Sequence, residues 1–193
     1  MLVSDTGFRA QVNALSGQHV ENCYHCHTCT AGCPVSECME YGPDRIIRLI
    51  EMGHGERVLS SPDIWLCAGC ETCATRCPNE IDVAGVMDAL RQLSRAEGFA
   101  APTPRIPLFH RIFLQVVEKL GRSHELVMLM FFKLLSRDLL SDLDSGAALV
   151  LKGKIPLIPK RMKQADEVQR IFQAAQQADH QLMEAHGVHE RKD

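Results

Sequence analysis

Aromatic residues are scarce in this chain: they make up 5% of its 193 residues, with one tryptophan and two tyrosines. Single-stranded nucleic acid is held on aromatic platforms set in a basic groove. A net charge of −3 supplies no such groove, so nucleic acid is not expected as a main partner. Long apolar runs are missing too. The longest, Leu126 to Phe132, has seven residues, against about 20 for a helix that crosses a bilayer. No transmembrane segment is expected, and only peripheral association with a membrane stays compatible with the sequence. Met1 to Gly17 lacks the basic stretch and apolar core of a secretory leader. There is no G-x-G-x-x-G after a strand, no Walker loop and no H-E-x-x-H, which removes the commonest nucleotide and zinc-hydrolase signatures. Asp44, Glu51, Asp63 and Asp82 read as solvated or helix-capping carboxylates rather than acid–base groups. No catalytic residue is assigned.

What the chain has instead is cysteine. Eight of its nine cysteines fall into two copies of C-x-x-C-x-x-C-x-x-x-C-P: Cys23, Cys26, Cys29, Cys33 with Pro34, and Cys67, Cys70, Cys73, Cys77 with Pro78. Thiolates at intervals of three converge from one tight turn, and the intervening N–H groups can point at the sulfides of a [4Fe–4S] cube. The fourth cysteine lies too far along to close on the same cube; in two-cluster ferredoxins it serves the other one. The expected ligand sets are therefore Cys23, Cys26, Cys29 and Cys77 for the first cluster, and Cys67, Cys70, Cys73 and Cys33 for the second. Each proline holds the cysteine before it in extended geometry. Two cubanes in one small chain imply transfer of single electrons.

Structural zinc is the competing reading. It uses four ligands, commonly as two separated C-x-x-C pairs, and has no use for a third evenly spaced cysteine. Disulfides belong to secreted chains, whereas free thiolates and cubanes suit the cytoplasm. Cys38, five residues after Cys33, reads as a small apolar or partly exposed free thiol; the sharper alternative is a substitute ligand or a redox-active thiol. His25 and His27 read as loop residues between ligands, one of them able to hydrogen-bond a cluster sulfur.

Periodicity predicts a mostly α fold: an α-helical ferredoxin-type dicluster domain over 21–98, with a lead-in at 1–20 in which Phe8, Val12 and Leu15 suit a short amphipathic helix. Pro43 fits a first helical position, and Ile46, Ile47, Leu49 and Ile50 form a stripe that Gly53 ends. Asp82 can cap a helix whose face is Val83, Val86, Met87, Leu90 and Leu93, finishing near Gly98. Trp65 reads as core shielding a cluster. Pro102, Pro104 and Pro107 make 99–107 an extended, stiff linker. Residues 108–193 then read as a helical extension for subunit docking: a hairpin of two apolar-striped helices around Gly121, with Ser123 as cap; a basic strap, KGKIPLIPKRMK, at Lys152–Lys163; a last helix over Ala165–His186; and a frayed tail.

The segment from Cys23 to Gly53 (CYHCHTCTAGCPVSECMEYGPDRIIRLIEMG) and that opening at Trp65 (WLCAGCETCATRCPNEIDVAGVMDALR) resemble the iron–sulfur C subunit of heterodisulfide reductase, over residues 23–92. The run GKIPLIPKR at 153–161 is similar to a late segment of that family. The spacer P-x-x-I-I-R-L-I and the WLC before the second run narrow the match beyond the cysteines. The resemblance implies a non-catalytic carrier with two [4Fe–4S] clusters, its eight motif cysteines matching the family's ligands one for one. Its partners would be an A-like subunit bearing flavin and further clusters, and a B-like subunit that processes a disulfide. In methanogens the substrate is the mixed disulfide of two thiol coenzymes; a related complex of sulfur oxidisers works on protein-bound sulfane sulfur, and the general character of the sequence leans to the latter. Other readings stay open: the iron–sulfur subunit of a fumarate-reductase-like or glycolate-oxidase-like enzyme, a structural zinc or cluster module, or a chain made catalytic by Cys38.

Overall fold

The computed structural model describes residues 6–99, 101–136, 159 and 161–185. All regular structure among them is helical. The chain divides into two compact units, 1–103 with 180–193, and 104–179. No described helix is long and apolar enough to cross a membrane.

In the first unit are α1 (Thr6–Ser16), α2 (Thr28–Ala31), α3 (Pro43–Glu51), α4 (Gly55–Leu59), α5 (Asp63–Leu66), α6 (Thr72–Arg76) and α7 (Val83–Ala96); short turns join them except before and after α2, where longer connections each hold a 3-10 turn, Val20–Asn22 and Ser36–Cys38. The longest, α7, is the spine, with α1, α4, α5 and α6 packed on it. Its Val86, Met87, Leu90 and Leu93 are buried together with Ile46, Ile47 and Ile50 of α3, Val58 and Leu59 of α4, and Ile64 and Trp65 of α5. These are the stripes that the 3.6-residue period marks in the sequence. Pro43 occupies the start of α3, where its missing N–H has no partner to lose. Asp82 caps α7, its Oδ1 accepting the Gly85 N–H at 2.9 Å. A β-carbon on Gly85 would stand 2.6 Å from the Asp82 carboxylate, so the cap requires glycine there. Asp82→Ala is expected to cost about 1 kcal/mol, read as a lowered denaturation midpoint with iron content unchanged.

Two boundaries differ from those expected of the sequence. The lead-in is structural: α1 packs on α7 and buries Phe8 and Val12, and a β-carbon on Gly55 would meet the Phe8 ring at 3.0 Å. The linker is also shorter than its prolines suggest, because α8 (Arg105–Leu120) begins inside it. Pro107 lies in the first helical turn, where N–H groups have no intrahelical acceptor anyway, so the helix tolerates it.

In the second unit α8 packs on α9 (Glu125–Ser136), with Phe109 and Phe132 edge to face at 5.8 Å. Gly121 ends α8 in the left-handed region at φ 76°, and its N–H returns to the Val117 carbonyl. The cap position of α9 falls on His124 rather than Ser123; its Nδ1 accepts from the Val127 N–H at 3.4 Å. Only Ile112 and Val116 of α8, and no residue of α9, are buried, while Met130, Phe131, Leu134 and Leu135 are exposed. The last helix, α10 (Ala165–Ala185), leaves Ile171 exposed as well. Most of the basic strap and all of the tail lie outside the described residues.

Candidate metal centres

The two cysteine runs fold alike. In each, the residues on either side of the middle cysteine are left-handed: His25 and His27 around Cys26 at φ 52° and 60°, Gly69 and Glu71 around Cys70 at 61° and 60°. Three of these four carry side chains, for which this region costs roughly 1–3 kcal/mol each. The backbone accepts that cost in order to wrap round something between the cysteines. A short helix follows in both runs, α2 after His27 and α6 after Glu71, with Cys29 and Cys73 as their second residues. These two helices pack on each other, and Gly32 permits it: a β-carbon there would lie 3.3 Å from the Thr72 methyl.

This packing brings the runs together crosswise. Cys23, Cys26 and Cys29 line one concavity with Cys77 of the second run. Cys67, Cys70 and Cys73 line another with Cys33 of the first. The remaining wall of the second is apolar: Val35, Met39, Pro43, Ala68, Val83, Ala84 and Met87. Ile47, Pro78, Ile81 and Val83 contribute to the first. Val83 therefore borders both sites, which makes them neighbours. All nine cysteines are free thiols, and Cys38 is exposed and lines neither site.

Electrostatics differ among the thiols in a repeated way. Cys26 and Cys70, both exposed, have pKa values lowered chiefly by hydrogen bonding with Thr28 and Thr72, whose hydroxyls lie 3.2 and 3.5 Å from the sulfurs. Burial pushes Cys23 and Cys29 up, and Cys73 up to about 11. Loading these sites must expel the protons of the buried thiols, so uptake of metal and loss of protons are linked. The two threonines do carry a sequence signal, since C-x-T-C recurs at the same register in both runs, but cysteine spacing alone passes over it.

Three further residues fix the sites and carry no local sequence signal. Asp63, fully buried, accepts the backbone N–H groups of Glu40, Tyr41 and Gly42 at 2.8, 2.7 and 2.9 Å. It thereby ties the segment leaving the first run to the helix that enters the second. Asp44 is buried beside the first site, where its carboxylate takes the Thr30 hydroxyl and the His27 ring N–H (2.6 Å). The expectation of a solvated or capping carboxylate is corrected for both: their partners come from distant segments. Arg91 of α7 donates to the carbonyls of Ile64 and Cys67, at 2.6 and 2.7 Å, and pairs with Asp88. His25 donates from Nε2 to Glu51 at 2.8 Å, with Arg48 Nη1 at 3.3 Å.

Four thiols spread around an apolar-walled cavity suit a cube, whose four irons each take one sulfur. A lone zinc would need its ligands drawn onto one point at about 2.3 Å from each sulfur. Among the described residues no three His, Cys, Asp or Glu side chains converge in that way.

Comparison with known proteins agrees. Residues 19–81 match the 4Fe–4S dicluster domain family. The chain is 33% identical over 98 residues to the C subunit of the H2:CoB–CoM heterodisulfide, ferredoxin reductase of Methanothermobacter marburgensis, covering 51% of this chain and 53% of the relative. It is 32% identical over 104 residues to the iron–sulfur C subunit of the CoB–CoM heterodisulfide reductase of Methanopyrus kandleri (54% and 51%). Against the C subunit of the ferredoxin:CoB–CoM heterodisulfide reductase of Methanosarcina mazei it is 38% identical over 90 residues (47% and 55%). The chain spans about half the length of each of these relatives. Residues 19–81 are thus a 4Fe–4S dicluster domain with two [4Fe–4S] clusters as cofactors, in a stretch homologous to the C subunits of heterodisulfide reductases.

Proposed function

We propose that the chain is the electron-relay subunit of a heterodisulfide-reductase-like complex of the cytoplasm. It carries electrons between an A-like subunit bearing flavin and iron–sulfur clusters and a B-like subunit that processes a disulfide or sulfane sulfur. Cys23, Cys26, Cys29 and Cys77 would hold one cluster, and Cys33, Cys67, Cys70 and Cys73 the other; when bound, such clusters accept and release single electrons with little structural change. The observation that carries the reading is the adjacency of the two four-cysteine sites, which share Val83 as a lining residue. Two adjacent electron stations make a conduit, whereas a structural cluster has no need of a neighbour. The chain's own residues do the rest. Left-handed turns wrap the sites, apolar walls keep water out, and Cys26 and Cys70 form exposed edges at which electrons can cross to partners.

The exposed apolar faces of α9 and α10 support docking to other subunits. The test is purification of the native chain with its companions, followed by reduction with dithionite. Electrons are expected to pass from the reduced chain to a co-purified, cysteine-rich, disulfide-processing partner. A chain that purifies alone and reduces no such partner would contradict the relay.

A further inference from the structure

The two sites are matched in shape but not in fixed charge. Each has one exposed cysteine and an apolar wall, so solvent access does not distinguish them. Around the first, the buried charges are negative. Asp44 lines the cavity, and Glu51 pairs with His25, which lines it too; their side chains are 9% and 14% exposed. The basic groups facing them are more exposed than the carboxylates: the His25 ring at 28%, Arg48 at 57% and the His27 ring at 71%. Around the second site a buried cation is present as well. The Arg91 guanidinium, 15% exposed and 2.7 Å from the Cys67 carbonyl, stands against the fully buried Asp63 carboxylate, which three backbone N–H groups already satisfy, while Asp88 is 65% exposed and Glu71 is exposed as well. Water and salt screen exposed charges far more than buried ones. The first site, with the two carboxylates Asp44 and Glu51, therefore carries the more negative field, and at the second Arg91 offsets Asp63.

We propose that these buried charges order the pair, making the cluster of Cys33, Cys67, Cys70 and Cys73 the easier to reduce, with Arg91 as the residue that sets its potential. Adding an electron adds negative charge, which Arg91 favours and Asp44 with Glu51 opposes. An electron supplied by a low-potential one-electron donor such as dithionite then rests at the second site. Passing it there from the first oxidises one site and reduces the other, with no bond or proton changing hands. The ordering rests on the relay reading above. It also goes beyond it, because two clusters can relay electrons in either order.

The test is a potentiometric titration of the full-length, cluster-loaded protein followed by electron paramagnetic resonance. The two couples are assigned with Cys70→Ser, which removes or converts the signal of the second site. In the unaltered protein the higher couple should be the one so removed. Arg91→Gln should lower that couple by at least a tenfold change in equilibrium ratio, about 59 mV for one electron, and leave the other in place. Arg91→Lys, which keeps the charge and breaks the fork, should stay near the original value. Glu51→Gln should raise the other couple and narrow the gap, which keeps the test alive should Arg91→Gln fail to load. A higher couple at the first site overturns the ordering, as do equal shifts of both couples in Arg91→Gln or no shift in Glu51→Gln. Protein with no reducible iron at all would sink the relay itself, and the ordering with it.

Discussion

Serine at Cys33 is expected to empty or convert the cluster of the second run and spare that of its own. The protein should lose roughly half its iron, and the remaining signal should be the one that Cys29→Ser abolishes. Cys77→Ser should do the reverse. The reason is the crossed packing of α2 on α6, which carries each run's fourth cysteine into the other run's concavity. Because metal binding and folding are linked in small sites, each variant should also lose stability. Iron analysis and electron paramagnetic resonance of the two variants decide the matter: loss of the first signal in Cys33→Ser would show uncrossed ligation.

Asp63→Ala should be among the most damaging changes outside the cysteines. It strands three backbone N–H groups that a buried carboxylate now satisfies. An unpaired buried N–H costs roughly 1–3 kcal/mol; with Gly42 buried and Glu40 and Tyr41 part-buried, the loss is about 3 kcal/mol. That is a large share of the stability of a small domain, and corresponds to a melting midpoint lower by roughly 12 °C or more. Asp63→Asn keeps one acceptor oxygen and should fall between the two. Differential scanning of the cluster-loaded protein measures this; an unchanged midpoint for Asp63→Ala would mean the staple is dispensable. Since Asp63 sits in the helix leading to Cys67, the second cluster should also become more labile to chelators.

Much of this was legible in the sequence because it is local. The cysteine spacing, the prolines behind it, the stripes of α3 and α7, and the Asp82 cap all involve residues within a few positions of one another. What escaped is non-local. Asp63 has its partners 21–23 residues away, Asp44 bonds Thr30 across 14, and Arg91 reaches back 24 to Cys67. Nothing in the neighbourhood of these residues separates them from solvated charges on a helix. Pro107 misled in the other direction, since a proline that breaks a helix interior is harmless in a first turn. In α9 the apolar pattern predicts a helix correctly, but its uncovered face shows that periodicity says which residues share a side and not what covers it.

The relay depends most directly on both sites taking up an electron. Protein purified without oxygen and titrated with dithionite should accept one electron per cluster. Two interacting paramagnetic signals should grow in, broadened by each other because the sites are neighbours that share Val83 as a lining residue. A colourless, iron-free protein, or one whose clusters stay oxidised and magnetically silent throughout the titration, would contradict the account.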